Sequence, residues 1–147
     1  MNIHTPTGHL LAKPSLIPAV ITSSANGKAV DTRGYTSALI VFHLGAHDHT
    51  TGNETFTGTV EESADGSTGW AAISGATTGA LGAVVPDTTS GNVYCINVNL
   101  KAGARLRYLR AVATLAGTTP SDAVGATIYL FNPEQASPTQ DATPAVA

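Results

Sequence analysis

Hydrophobic and polar positions alternate with a period of two along several short stretches of this chain. From Thr55, the residues Thr55, Thr57, Thr59, Glu61 and Ser63 share one parity and Phe56, Gly58 and Val60 the other, the spacing of a strand with one wet and one buried face. Asp65-Gly66 ends that run with the chemistry of a tight turn, and Gly69 to Ile73 resumes as a short apolar run. Glu54 to Ile73 is therefore expected to form a β-hairpin or sheet corner, with Trp70 anchoring the core. Val93 to Leu100 also alternates, placing Tyr94, Ile96, Val98 and Leu100 on one side and Cys95, Asn97 and Asn99 on the other.

Other stretches break the alternation. Tyr35 to Leu44 and Val124 to Phe131 are apolar on both parities, as expected of strands covered on both faces. Ala104 to Leu115 contains good helix formers, but Gly103 before it and Gly117-Thr118-Thr119-Pro120 after it are turn chemistry, which predicts a strand. Ala19 to Thr22 and Ala29 to Thr32 are short strand-like runs flanking Asn26-Gly27, a hairpin signal. Gly45 to Asn53 reads as a loop and Gly75 to Gly82 as a connector.

Seven or eight short strands with Gly, Ser, Thr and Pro turns predict an all-β protein, an antiparallel β-sandwich or jelly roll. Residues 1–18 carry Pro6, Pro14 and Pro18 and read as an extended N-terminal arm. Its apolar residues Ile3, Leu10, Leu11, Leu16 and Ile17 predict that the arm lies on a surface, its own core or a partner. The sandwich is expected over 19–132 and a flexible, proline-containing C-terminal tail over 133–147.

Composition narrows the function classes. The length of 147 residues suits one domain, and a charged fraction of 12% is about half the roughly 25% usual in soluble proteins. A net charge of −3 with seven Lys+Arg gives no electrostatic footprint for direct nucleic-acid binding. The single cysteine, Cys95, excludes an internal disulfide and is expected to be a small core residue. No signal-peptide pattern opens the chain and no apolar run approaches the roughly 20 residues needed to span a bilayer, so a soluble, cytoplasmically made protein is expected, with no membrane partner.

Candidate chemistry is sparse. His43, His47, Asp48 and His49 concentrate imidazole and carboxylate within a short stretch that could bind a divalent ion, but the expectation is an exposed loop without metal or other cofactor. Glu61 and Glu62 are adjacent and therefore point to opposite faces, which prevents their acting as a facing acid/base pair. Ser63 and Asp65 lack a positioned histidine and the nucleophile-elbow pattern. Arg105, Arg107 and Arg110 form the only basic cluster. Arg105 and Arg107 share a face and suit pairing with carboxylates on a neighbouring strand or on a partner protein.

Gly34-Tyr35 before a strand, Phe56-Thr57-Gly58-Thr59-Val60-Glu61-Glu62-Ser63-Ala64-Asp65-Gly66, then Trp70-Ala71-Ala72-Ile73 and Arg107-Tyr108-Leu109-Arg110-Ala111-Val112 follow one another in that order. Over Tyr35 to Phe131 this series resembles small structural proteins of tailed-bacteriophage virions. The resemblance implies a non-enzymatic capsid cement or decoration protein, trimeric in many members, that binds the major capsid protein on the virion surface. It brings no catalytic residues, and the histidine stretch and the proline-rich arm lie outside its pattern. Head-tail connector or head-fibre components are alternatives within the virion, and a glycan-binding β-sandwich module is the alternative outside it.

Overall fold

The computed structural model describes residues 9–48, 53–81 and 91–134. Among these residues nine antiparallel strands run in chain order: β1 (Leu10–Ile21), β2 (Ala25–Asn26), β3 (Val30–Asp31), β4 (Tyr35–Asp48), β5 (Thr55–Ser63), β6 (Ala71–Thr77), β7 (Asn92–Asn99), β8 (Tyr108–Ala116) and β9 (Ser121–Pro133). They form two sheets. Sheet I has the order β1-β9-β4-β7, and sheet II the order β2-β8-β5-β6 with β3 also on β8.

The two sheets face one another across a single core, as a sandwich. Sheet I contributes Ala38, Ile40, Phe42 and Leu44 from β4 and Val124, Ala126, Ile128 and Leu130 from β9. Sheet II contributes Phe56 and Val60 from β5 and Leu109, Ala111 and Ala113 from β8. At the centre the Phe42 and Phe56 rings meet edge to face with centroids 6.1 Å apart, and each fully buried large side chain stabilises the fold by about 1.5–3 kcal/mol. Gly58 makes this contact possible, because a Cβ there would lie 3.1 Å from the Phe42 ring. The alternation read along β5 holds, with Phe56, Gly58 and Val60 buried and Thr55, Thr57 and Thr59 half-exposed. β5 and β6 pair as the expected hairpin, and Ser63 and Asp65 build its turn.

Several sequence expectations need correction. The arm expected over residues 1–18 becomes an edge strand from Leu10, paired with β9 from Leu10↔Phe131 to Ile21↔Asp122. Leu11 and Leu16 are core residues of the chain's own sandwich, so neither is free for a partner; Leu10 is half-buried and Ile17 is exposed at 55%. Ile3 and most of the expected tail over 133–147 lie outside the described residues. Asn26-Gly27 makes no hairpin between its flanking runs, because β1 enters sheet I whereas β2 and β3 both pair with β8 in sheet II. The strand expected from Ala104 begins only at Tyr108, and part of the expected Gly75 to Gly82 connector belongs to β6.

Gly27 is needed for space rather than for a turn. β1 is irregular between Pro14 and Leu16, and this turns the buried Ser15 toward sheet II. Its Oγ accepts the Ala111 N–H at 2.9 Å and donates to the Lys28 carbonyl at 2.9 Å. The Ser15 carbonyl accepts the Lys28 N–H at 2.8 Å, and the Gly27 N–H reaches the Ala111 carbonyl at 2.8 Å. A Cβ on Gly27 would sit 2.3 Å from Ser15 Oγ and 2.6 Å from the Ala111 oxygen, so any side chain breaks the junction. One serine thus stitches the edge of sheet I to the middle strand of sheet II, and its buried hydroxyl satisfies groups that would otherwise cost about 1–3 kcal/mol each.

Candidate functional site

Among the described residues of the histidine-rich stretch, His43 and His47 are parted. β4 shifts register between Leu44 and His47, so His43 stays opposite Gly125 on the outward face while His47 moves opposite Asp122 and is buried. The His47 ring contacts the Gly45 carbonyl through Nδ1 at 3.0 Å. His49 lies outside the described residues, among which no group of three or more His, Cys, Asp or Glu is placed to hold a metal ion.

The acidic residues at the end of β5 are engaged in structure. Glu61 and Glu62 do point to opposite faces. Glu61 accepts from Arg110 on the outside of sheet II at 2.6 Å, and buried Glu62 accepts the Leu106 N–H at 3.0 Å. Asp65 caps its turn, and the Thr68 hydroxyl, the Thr68 and Ser67 N–H groups and the Ser63 hydroxyl hold its carboxyl well below the usual carboxylate range. Trp70 is not a core anchor. It is half-buried on the outside of sheet II, with the Arg110 guanidinium 4.3 Å from its ring centroid.

Two surface features remain as candidate sites. The first is the outward face of sheet I. Direct cross-strand partners share a face, so the register defines four successive outward rungs of β4: Ser37, Leu39, Val41 and His43. On β9 these rungs continue to Phe131, Tyr129, Thr127 and Gly125, and on β7 to Asn99, Asn97, Cys95 and Val93. No Asp, Glu, Lys or Arg stands on them. Cys95 is exposed here, contrary to the expected core position, and Val93 is 58% exposed. Of the apolar outward positions of β4 and β9, Leu39, Tyr129 and Phe131 are half-exposed and Val41 is buried, with no second layer over them among the described residues.

The second feature is a cleft of about 300 Å³ at the end of the sandwich where β9 finishes, and it unites the two arginines singled out from the sequence. Both precede β8. Arg107 binds Asp31 through Nε at 3.1 Å and Nη2 at 2.6 Å, and its guanidinium lies 4.7 Å from the Tyr108 ring centroid. Arg33 approaches the same Asp31 carboxylate at 3.2 and 3.1 Å. Hydrogen bonds from Arg107, then from the Arg33 backbone and side chain, outweigh partial burial and hold Asp31 well below the usual range. Arg105 reaches toward Glu62 at 3.6 Å, and its Nε–H is buried without an acceptor. Lys101 pairs with Glu134 at the rim, and burial pushes the Tyr35 hydroxyl up. The carboxylates expected for Arg105 and Arg107 are thus found on the same chain.

Sequence reasoning missed Arg33 and Lys101. They lie more than 60 residues apart in sequence; the pairing of β7 with β4, with the Leu100 N–H on the Thr36 carbonyl at 3.0 Å, brings them together, and the Glu134 N–H on the Gly34 carbonyl at 2.7 Å closes the cleft. Comparison with protein-family models and with curated proteins finds no match to this chain.

Proposed function

We propose that the protein is a non-enzymatic structural component of a tailed-phage virion, a capsid decoration protein that binds the major capsid protein and strengthens the shell. The observation that carries this reading is the uncharged outward face of sheet I, where the half-exposed Leu39, Tyr129 and Phe131 stand on adjoining strands. Ionised groups are depleted at the centres of protein interfaces because their desolvation is costly, so a chain of net charge −3 meets a partner most cheaply through this face. At strand spacings of about 4.8 Å and a rise of about 3.3 Å per residue, the face covers roughly 400–500 Å². That is the size of a functional surface patch and about half of one partner's share in a standard interface, so a further contact is needed. The residues before β1, Ile3 among them, and self-association, as a trimer by the family resemblance, would supply it, and many copies on one particle would add avidity.

The resemblance over Tyr35 to Phe131 selects the phage head among assemblies with such needs. Co-sedimentation of the purified protein with capsids lacking it tests the reading. Stoichiometric binding that raises the temperature of capsid disruption is expected, and capsids that neither bind the protein nor gain stability would overturn it. Deleting residues 1–8 leaves β1 intact, because that strand begins at Leu10, and separates the arm's contribution from that of the sheet.

A further inference from the structure

We propose that the cleft between Arg33, Lys101, Arg105 and Arg107 is a binding site for an acidic, extended segment of a partner protein, read through its carboxylate side chains. Four of the chain's seven Lys+Arg converge on this one cleft, although the protein as a whole is negative. The carboxylates that face them among the described residues are Asp31, Glu62 and Glu134. The cations therefore outnumber their partners, and the geometry shows where the surplus lies.

Asp31 is shared by two guanidiniums. Arg107 holds it with the shorter contact and stacks beside Tyr108, while Arg33 is 68% exposed and meets Asp31 only as a local surface pair, a contact of little worth in water. A second carboxylate can take Arg33 without disturbing the Arg107 pair. Arg105 is under-used as well, with 3.6 Å to Glu62 and an Nε–H that has no acceptor, so a carboxylate that drew its guanidinium into the cleft would complete a bidentate contact. The floor is apolar enough to take the stem of an acidic side chain, with Leu100 and Leu106 half-buried in it. Gly34, at φ 85° with nothing within 4 Å of its would-be Cβ, leaves the mouth open to an approaching backbone.

The anchors are fixed in advance. The Thr32 hydroxyl and N–H both donate to the Arg107 carbonyl, at 2.7 and 3.0 Å, and the Leu106 N–H donates to Glu62. Protein carboxylates suit this site better than nucleic acid. Four cations, each already facing a carboxylate within 3.6 Å, are too few to track a phosphate backbone, and Tyr108 is occupied by Arg107. This inference is independent of which particle the protein joins, and its test contains no capsid.

Isothermal titration of the full chain with a blocked peptide of alternating Glu and Ala, and with its Gln counterpart, decides the matter. The Glu peptide is expected to bind, to weaken as salt is raised, and to shift the arginine Nε–H signals of Arg33 and Arg105. Arg33→Gln, exposed and safe for the fold, should weaken binding about tenfold, the loss of one charge-assisted contact, while Lys28→Gln outside the cleft should change nothing. Equal binding of the Gln peptide, or equal losses in Arg33→Gln and Lys28→Gln, would overturn the proposal. Displacement of the Glu peptide by lower concentrations of inorganic phosphate or a short single-stranded DNA would also overturn it.

Discussion

The outward face of sheet I and the outward face of sheet II cover the same core yet are made of different residues. On sheet II, Thr57 stands opposite Thr114 and Glu61 opposite Arg110, so these outward rungs are cross-strand polar and charged pairs, while Ser63 at the end of β5 is buried. The Glu61–Arg110 pair lies under Trp70, and Arg107 extends the array to Asp31. On sheet I, Leu39 stands between Asn97 and Tyr129, and Val41 between Cys95 and Thr127, with no charge on these rungs. A sheet that faces water for its whole existence gains from such polar pairs. The contrast is one of charge: sheet II carries an ion pair on its outward rungs and sheet I carries none, which is what the proposed docking of sheet I on a partner requires.

The largest way to break this comparison is to charge the uncharged face. Tyr129→Glu should lower capsid binding by at least about 100-fold, an unpaired charge of roughly 3 kcal/mol in an interface, while the melting temperature moves by only a few degrees. Binding by co-sedimentation and melting by circular dichroism check it; a variant that binds normally would remove sheet I from the contact. Next in size is Arg110→Ala on sheet II. Loss of the partly buried ion pair and of the Trp70 stack should cost about 1–2 kcal/mol in denaturant unfolding, redden Trp70 emission and leave capsid binding unchanged.

Acid gives a smaller effect with a fixed sign. Asp31 titrates below its unfolded value of about 3.9, so its stabilisation is fully present above that pH and fades as pH falls toward the lower folded value. Asp31→Asn should flatten the stability curve below about pH 4 and leave its slope unchanged near neutrality, as measured by urea unfolding at several pH values. Smallest is Thr57→Val, which should stay within about 0.5 kcal/mol, since a β-branched residue of the same shape keeps the rung opposite Thr114.

Where one face is wet and the other dry, the sequence was a faithful guide. β5 alternates because Phe56 and Val60 enter the core and the threonines do not, and β7 alternates for the same reason through Ile96 and Val98. β4 and β9 misled in one respect: apolar residues on both parities mimic a strand buried twice, and periodicity alone does not distinguish a second layer from a sticky surface. Trp70 and Cys95 lie outside the core because position outweighs residue type; the parity of Cys95 with Asn97 and Asn99 already puts it there. The cleft was half legible. Arg105 and Arg107 stand close in sequence, but their partners Glu62 and Asp31 arrive from β5 and β3, and such long-range pairings leave no local signature. Gly27 gave a false hairpin for a related reason, since its lack of a side chain answers Ser15, a residue from another strand.

The serine junction also has a mechanical meaning. β1 and β9 are antiparallel, so the entry to β1 at Leu10 and the exit from β9 after Phe131 lie side by side at one end of the sandwich. Tension applied between the entry to β1 and the exit from β9 would peel β1 from its neighbour rung by rung, the geometry of least resistance. The peeling front would meet Ser15 after the Pro14 rung, where the strand is also fastened across the core to Ala111 and Lys28. A pull on the entry to β1 would therefore find a short compliant lead of a few rungs and then a stop, so that Leu10 to Pro14 would give under load while the rest of the sandwich keeps its shape.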